Sequence, residues 1–380
     1  MKRVTAHERF DAIVDLAGDA PGRQIAYGLV KITYEVGEGG VRLTTPQPLF
    51  HDTRHADTKH RLLPGSDFCP WKSATDVIVL GKAFATRPST TGRVALEVGD
   101  RVVRIAVFGR RVIEWERGRA RIGGPAAYEA LPLGLGGAYG GVDPRVPLDP
   151  SHAATAAIDH RGLYPRNPFG SGYLVGHDPI EGIALPSFEL ADDLLSDDRL
   201  CVGDPSHWWR QPRPAHLGFV PANAFPRSAL LGAWPPEPPP QDERLDERRL
   251  GVPLGAVGSG LHPYFFQESV PELVFASLRP GTPFIARGLR PDGRPLAFAL
   301  PEAPDLSLSI AGERAAVDII ASSVVIAPEH GTVALLWVVR SAPLRRVIIP
   351  GIHRKVPLLL TVDGVPITHA PPDPPSMEAP

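Results

Sequence analysis

Arg93-Val-Ala-Leu-Glu-Val-Gly-Asp-Arg-Val-Val-Arg-Ile-Ala-Val-Phe108 decides the fold class. Two segments of alternating apolar and polar residues flank Gly99-Asp100, a dipeptide able to take the positive φ of a tight two-residue turn. Charged Glu97, Arg101 and Arg104 fall between apolar positions, so the predicted hairpin has one wet face and one dry one. A further strand is expected over residues 111–116.

The same grammar extends in both directions. Residues 25–36 are rich in β-branched and aromatic side chains and stop at Gly37-Glu-Gly-Gly40, with residues 41–45 as the return strand. Residues 75–80 form a continuous apolar run, as a strand buried on both faces requires. Toward the other end, strands are expected at 273–276, 283–287, 295–300 and 306–310. A long pair, 317–326 and 332–339, is expected around Ala327-Pro-Glu-His-Gly331. Residues 1–20 fit either a short helix or a frayed start. Residues 122–259 differ: Pro and Gly recur every few positions and interrupt ladders and helices alike. They include the polyproline run from Trp234 to Pro240 and one helix candidate, Asp242-Glu-Arg-Leu-Asp-Glu-Arg-Arg-Leu250, with a solvated charged face.

The fold expected is mainly β: multi-stranded antiparallel sheets, sandwich or barrel-like, with long Gly/Pro-rich insertions and few short helices. Composition agrees, since 44 Pro and 38 Gly among 380 residues punctuate short apolar runs. In domain terms, an N-terminal segment (1–20) precedes a β domain at 21–345. Its strand-rich halves, 21–121 and 260–345, enclose the irregular middle. A C-terminal strand and a disordered Pro-rich tail occupy 346–380.

A formal net charge of −2 gives no global pull toward nucleic acid or anionic membranes. The first twenty residues lack a signal-peptide apolar segment, and the longest apolar run, 333–339, is far short of the roughly twenty residues of a bilayer span. Two cysteines, Cys69 and Cys201, are too few and too far apart for a disulfide framework or a thiolate zinc site. A soluble, cytoplasmic protein is the expectation.

Several segments carry residue types found in catalytic or metal sites. His51-Asp-Thr-Arg-His-Ala-Asp-Thr-Lys-His60 has the residue types of a divalent-metal site, with His51 and His55 able to share a face. Arg54, Lys59 and Arg61 oppose a cation there, so a polar loop is the plainer reading. Leu133-Gly-Leu-Gly-Gly-Ala-Tyr-Gly-Gly-Val142 lacks the Lys-Ser/Thr of a phosphate loop, and Pro144 and Pro147 break any following helix. A tight backbone crossing that needs glycine is expected instead. No nucleophile elbow is present. Cys69, beside Phe68 and Trp71, reads as a buried small hydrophobe. The arginine-rich stretch from Arg93 to Arg121 reads as a solvated sheet face rather than a nucleic-acid strip. Trp208, Trp209, Phe219, Phe225 and Trp234 lie among prolines, where large aromatics either plug a core under loops or grip a protein partner. No catalytic, cofactor-binding or metal site is assigned.

Several segments in order resemble a family of bacterial proteins known as domain of unknown function 2169, encoded beside type VI secretion effectors and spike proteins. They are Ala26-Tyr-Gly-Leu-Val-Lys-Ile-Thr-Tyr34 and Gly65-Ser-Asp-Phe-Cys-Pro-Trp-Lys-Ser-Ala-Thr-Asp-Val-Ile-Val79, the hairpin leading to Val107-Phe-Gly-Arg-Arg111, and Gly136-Gly-Ala-Tyr-Gly-Gly141. Tyr164-Pro-Arg-Asn-Pro-Phe-Gly-Ser-Gly-Tyr173, Gly218-Phe-Val-Pro221 and Ile326-Ala-Pro-Glu-His-Gly-Thr-Val-Ala-Leu-Leu-Trp337 follow. Leu133-Gly-Leu135 departs from the aromatic and basic residues usual before the family's Gly-Gly. On this resemblance Asp67, Lys72, Asp76, Gly136, Gly137, Asn167, Pro168, Gly170 and Gly172 are structural motif positions. The resemblance implies a non-enzymatic adaptor or chaperone that binds a secreted effector and loads it onto a PAAR-type spike tip. Two alternatives stand beside it: a metal-dependent hydrolase or carbohydrate-active enzyme using the His51 to His60 cluster, and a structural part of the secretion apparatus.

Overall fold

A computed structural model describes residues 5–20, 23–50, 67–146, 162–222, 224–231, 262–345 and 357–368. The strand Arg23–Gly37 is the axis of a nine-stranded sheet. Its order is Thr5–Ala6, Asp11–Ala20, Arg23–Gly37, Thr332–Ser341, Val317–Ala327, Thr75–Val79 and Val274–Phe275, with Gly40–Leu43 and Leu344–Arg345 also paired to the axial strand. Strands from the two ends of the chain therefore alternate within one sheet. All its pairings are antiparallel except that of Thr75–Val79 with Val317–Ala327.

Successive side chains of a strand point to opposite faces, and both faces of this sheet are buried. On one side Ala26, Val30, Ile32 and Tyr34, with Val333, Leu335, Trp337 and Val339 of the neighbouring strand, enter the main core. A five-stranded sheet closes that core, ordered Phe188–Leu190, Arg101–Phe108, Thr91–Val98, Pro283–Arg287 and Leu296–Ala299. A four-stranded sheet, Glu313–Arg314, Leu306–Ile310, Leu358–Val362 and Val365–Thr368, closes the rest. On the other side Tyr27, Leu29, Leu336 and Val338 pack under Leu49 and Phe68. The expected mainly β architecture is found as packed open sheets; no closed barrel forms among the described residues.

The hairpin that decided the fold class has its expected register, with Val98 opposite Arg101 and Gly99 at φ 59° in the turn. Residues 11–20, compatible with a helix or a frayed start in the sequence, form the strand Asp11–Ala20, paired along Arg23–Gly37. Its apolar residues, Ala12-Ile-Val14 and Leu16-Ala17, follow neither a strand nor a helix period cleanly, and pairing with the axial strand decides. Helical segments of the described residues are short 3-10 turns, the longest being Pro205–Arg210. No helix among the described residues is long and apolar enough to cross a membrane. The His51 to His60 cluster, Trp234, the helix candidate 242–250 and the Pro-rich tail lie outside the described residues.

The hairpin of Leu358–Val362 and Val365–Thr368 explains a glycine in the middle of the axial strand. Leu360 lies directly over Gly28, and a Cβ at that position would stand 2.8 Å from both Leu360 methyl carbons. Gly28→Ala is therefore expected to cost about 1–3 kcal/mol through overpacking. Leu360→Ala, itself costly, should erase most of that penalty when the two are combined. Urea unfolding of the four proteins checks the coupling, and simple additivity would contradict the contact.

Candidate functional site

Segment 67–73 crosses the second face of the large sheet and is held there by charge. Lys72, 2% exposed, donates to Asp76 Oδ2 at 2.7 Å, to Glu268 Oε2 at 2.9 Å and to Ser323 Oγ at 3.2 Å. Asp76, wholly buried, also accepts from the backbone N–H groups of Glu268 and Ser269. With its amide oriented to suit its neighbours, Gln267 donates to Ala74 O and Asp76 Oδ1. Desolvation acts against the Lys72 charge, but the carboxylates of Asp76 and Glu268 outweigh it and hold the ammonium above its ordinary range. Upstream, Lys31 of the axial strand binds Asp67 Oδ2 at 2.8 Å, and Arg340 donates to Pro70 O and Lys72 O. Three motif residues, Asp67, Lys72 and Asp76, are thus fasteners between strands and the segment laid across them.

The glycine-rich motifs meet in a second device. Tyr139–Gly140 and Ser171–Gly172 run side by side as a short parallel pair. Asn167 braces it, donating from Nδ2 to Leu135 O at 2.7 Å and Tyr139 O at 3.1 Å and accepting from Phe169 N–H. Pro168 follows directly and fixes the chain's exit from this brace. Gly140, Gly141 and Gly172 take φ of 146°, 91° and 98°, and a Cβ on Gly140 would enter the Asn167 backbone. Gly137 and Gly170 are equally crowded, by the Phe188 ring and by Ala138 O with the Asn167 amide, while Gly136 lies in the 3-10 turn Leu135–Gly137. The amides of Gly141, Ser171 and Tyr173 donate within the crossing itself, leaving no cradle of free N–H groups.

Around the crossing the irregular middle builds its own core. Tyr139, Tyr164 and Tyr173 pack edge to face or tilted at 5.1–6.5 Å, and Trp208 adds an edge contact to Tyr164. The hydroxyls stay satisfied: Tyr139 donates to Gln211 Oε1, and Tyr164 to Pro212 O. Of the aromatics considered for partner binding, Trp208 and Phe219 are buried, the position of a core plug under loops. Trp209 and Phe225 are half-buried.

Phe225 also lines a cleft of about 110 Å³ where the irregular middle meets the Arg101–Phe108 strand and residues 270–272. Its walls are Val103, Leu190, Val220, Val270 and three prolines, Pro214, Pro226 and Pro271. Arg213 at the cleft is ringed by the carboxylates of Asp192, Asp193 and Glu272. His216 lies beneath, and burial pushes its imidazole down to about 4, so it is neutral at physiological pH. To a partner the cleft offers apolar contact edged by the internally paired Arg213–carboxylate cluster.

Other chemistry is muted. Among the described residues no group of three or more His, Cys, Asp or Glu is placed to hold a metal. Desolvation pushes the Cys69 thiol up to about 11 and raises that of Cys201, so both are protonated at neutral pH. Sequence reasoning missed Glu268, Ser323 and Arg340 around Lys72, and the buried pair of Arg111 with Glu189. These partners are distant in the chain, and no local pattern marks them.

A family model described as "Uncharacterized protein conserved in bacteria (DUF2169)" matches residues 21–338. No curated protein and no solved structure matches the chain.

Lys72→Met strands two carboxylates and should destabilise the protein by about 3–5 kcal/mol in urea unfolding; a change within experimental error would contradict the fastener role. His216 supplies a pH test. Unfolded, it binds a proton as pH falls below its ordinary 6.5, whereas the folded imidazole stays neutral to about 4. Its contribution is complete above pH 6.5 and is lost as pH falls toward 4, by up to about 3 kcal/mol. His216→Gln should flatten that part of the stability profile, measured as urea midpoints from neutral to acid pH. An unaltered slope would assign the acid sensitivity elsewhere.

Proposed function

We infer that this chain, which belongs to the DUF2169 family of bacterial proteins, is a non-catalytic adaptor. It binds a secreted effector in the cytosol, keeps it stable and helps load it onto the PAAR-type spike tip of a type VI secretion apparatus. The observation that carries this reading is the irregular middle. An aromatic core and a glycine crossing brace its backbone from within, so it presents a firm, non-repeating surface beside an apolar cleft. Such a surface can be matched by one partner with little ordering cost on binding. The ordered set of sequence motifs supports the same reading, since its glycine members shape the crossing beneath that surface.

Of the aromatics considered for partner binding, half-buried Trp209 and Phe225 are the ones among the described residues with surface to offer a partner. Co-expression with the effector and spike-tip proteins encoded nearby should yield a complex that survives gel filtration, and effector yield should fall when the adaptor is omitted. An effector that stays soluble and is secreted equally well without this chain would overturn the reading.

A further inference from the structure

The five-stranded sheet turns one face to the core and the other to solvent. On the solvent face of Thr91–Val98 and Arg101–Phe108, Arg93 lies opposite Ala106, Ala95 opposite Arg104 and Glu97 opposite Val102. The next strand places Arg287 beside Ala95 and Ile285 beside Glu97. Glu97 is matched by Arg287, whose Nε donates to it at 3.0 Å. Arg101, on the edge of the same hairpin, is committed to Val274 O at 2.7 Å and to the Phe275 ring. Among the described residues, the guanidinium groups of Arg93 and Arg104, both exposed, have neither a hydrogen-bond nor an ion-pair partner.

Those two guanidinium groups occupy diagonal positions on adjacent strands, about 7–8 Å apart at the backbone, where like charges oppose one another. Between them stand Ala95 and Ala106, too short to obstruct a close approach. One row further along, Val102 is 37% exposed beside Glu97, whose carboxylate is taken by Arg287, with half-buried Ile285 on the far side of Glu97. Side chains two apart in an extended chain point the same way at about 7 Å. That spacing equals the separation of the arginines, and the next same-facing position falls over Val102. The aromatic of this face, half-buried Phe108, is already covered by the Arg111 guanidinium at 3.9 Å and is not open to stack on a base, which favours a protein ligand over nucleic acid.

We propose that this sheet face recognises an extended acidic segment of the cargo, with carboxylates two residues apart meeting Arg93 and Arg104 and an apolar side chain two residues further on Val102. The proposal rests on the adaptor reading and names how that adaptor selects its partner.

The probe is a fluorescein-labelled peptide, Gly-Glu-Ser-Glu-Ser-Val-Gly, titrated with the full-length protein at low salt and followed by anisotropy. Arg93→Glu/Arg104→Glu should weaken binding at least about tenfold, as should an isomeric peptide with adjacent glutamates. Arg119→Glu, on an exposed hairpin elsewhere, should leave binding intact, and unchanged thermal unfolding would show that the variants are folded. Equal binding by the charge-reversed protein, equal affinity for the isomeric peptide, or tighter binding of duplex DNA than of the peptide would each overturn the proposal. The effector separates the two ideas. Undiminished co-purification with the charge-reversed variant sinks this surface and leaves the adaptor role. Arginine-dependent peptide binding with no effector complex supports the surface and sinks the role.

Discussion

One buried ammonium organises the back of this molecule. Lys72 is reached by a carboxylate four residues ahead, Asp76, and by another nearly two hundred residues on, Glu268. A charge moved from water into a protein interior costs several kcal/mol unless matched at close range. Matching this one requires the strands Thr75–Val79 and Val317–Ala327 and the turn preceding Val274–Phe275 to be in place together. The cluster acts as an assembly condition more than as a source of net stability. With Lys31 on Asp67 and Arg340 on two backbone carbonyls, it fixes segment 67–73 across a sheet face that would otherwise present Tyr27, Leu29 and Val338 to water.

With both faces of the central sheet covered, the irregular middle can be built outward from it. The Phe188–Leu190 strand joins the five-stranded sheet, and Glu189 pairs with Arg111 below the surface. From that attachment the chain returns through the glycine crossing and the tyrosine cluster. Prolines limit the backbone, and positive-φ glycines permit turns that other residues resist. Little of this is periodic, yet the Tyr139 and Tyr164 hydroxyls are hydrogen-bonded and its aromatics interlock. A scaffold of this kind suits partner recognition, because its surface is set before the partner arrives.

Much of the β framework was legible in the sequence, for a physical reason. Strands whose apolar residues alternate, such as Thr91–Val98, or run unbroken, such as Thr75–Val79, carry their burial pattern locally. Asp11–Ala20 was not legible, because its strand character comes from pairing with Arg23–Gly37. The glycine crossing was foreseeable from Gly136-Gly-Ala-Tyr-Gly-Gly141, two glycine pairs around Ala-Tyr. Its brace by Asn167 was foreseen only as a motif position, since the bonds span about thirty residues of chain. The aromatic residues were ambiguous in sequence between core plug and partner contact. Trp208 and Phe219 are buried, while the cleft beside them draws walls from three separate regions.

The central claim is that the irregular middle is as firmly held as the sheets that carry it. Native-state hydrogen exchange of the free protein tests this most directly, through the amides of Gly141, Ser171 and Tyr173 in the crossing and those of Leu29 and Val338 in the central sheet. Comparable protection in both sets, lost together as denaturant approaches the unfolding midpoint, is the result expected of one rigid scaffold. Fast exchange confined to the crossing, with the sheet amides still protected, would contradict it and leave a surface shaped only when a partner binds.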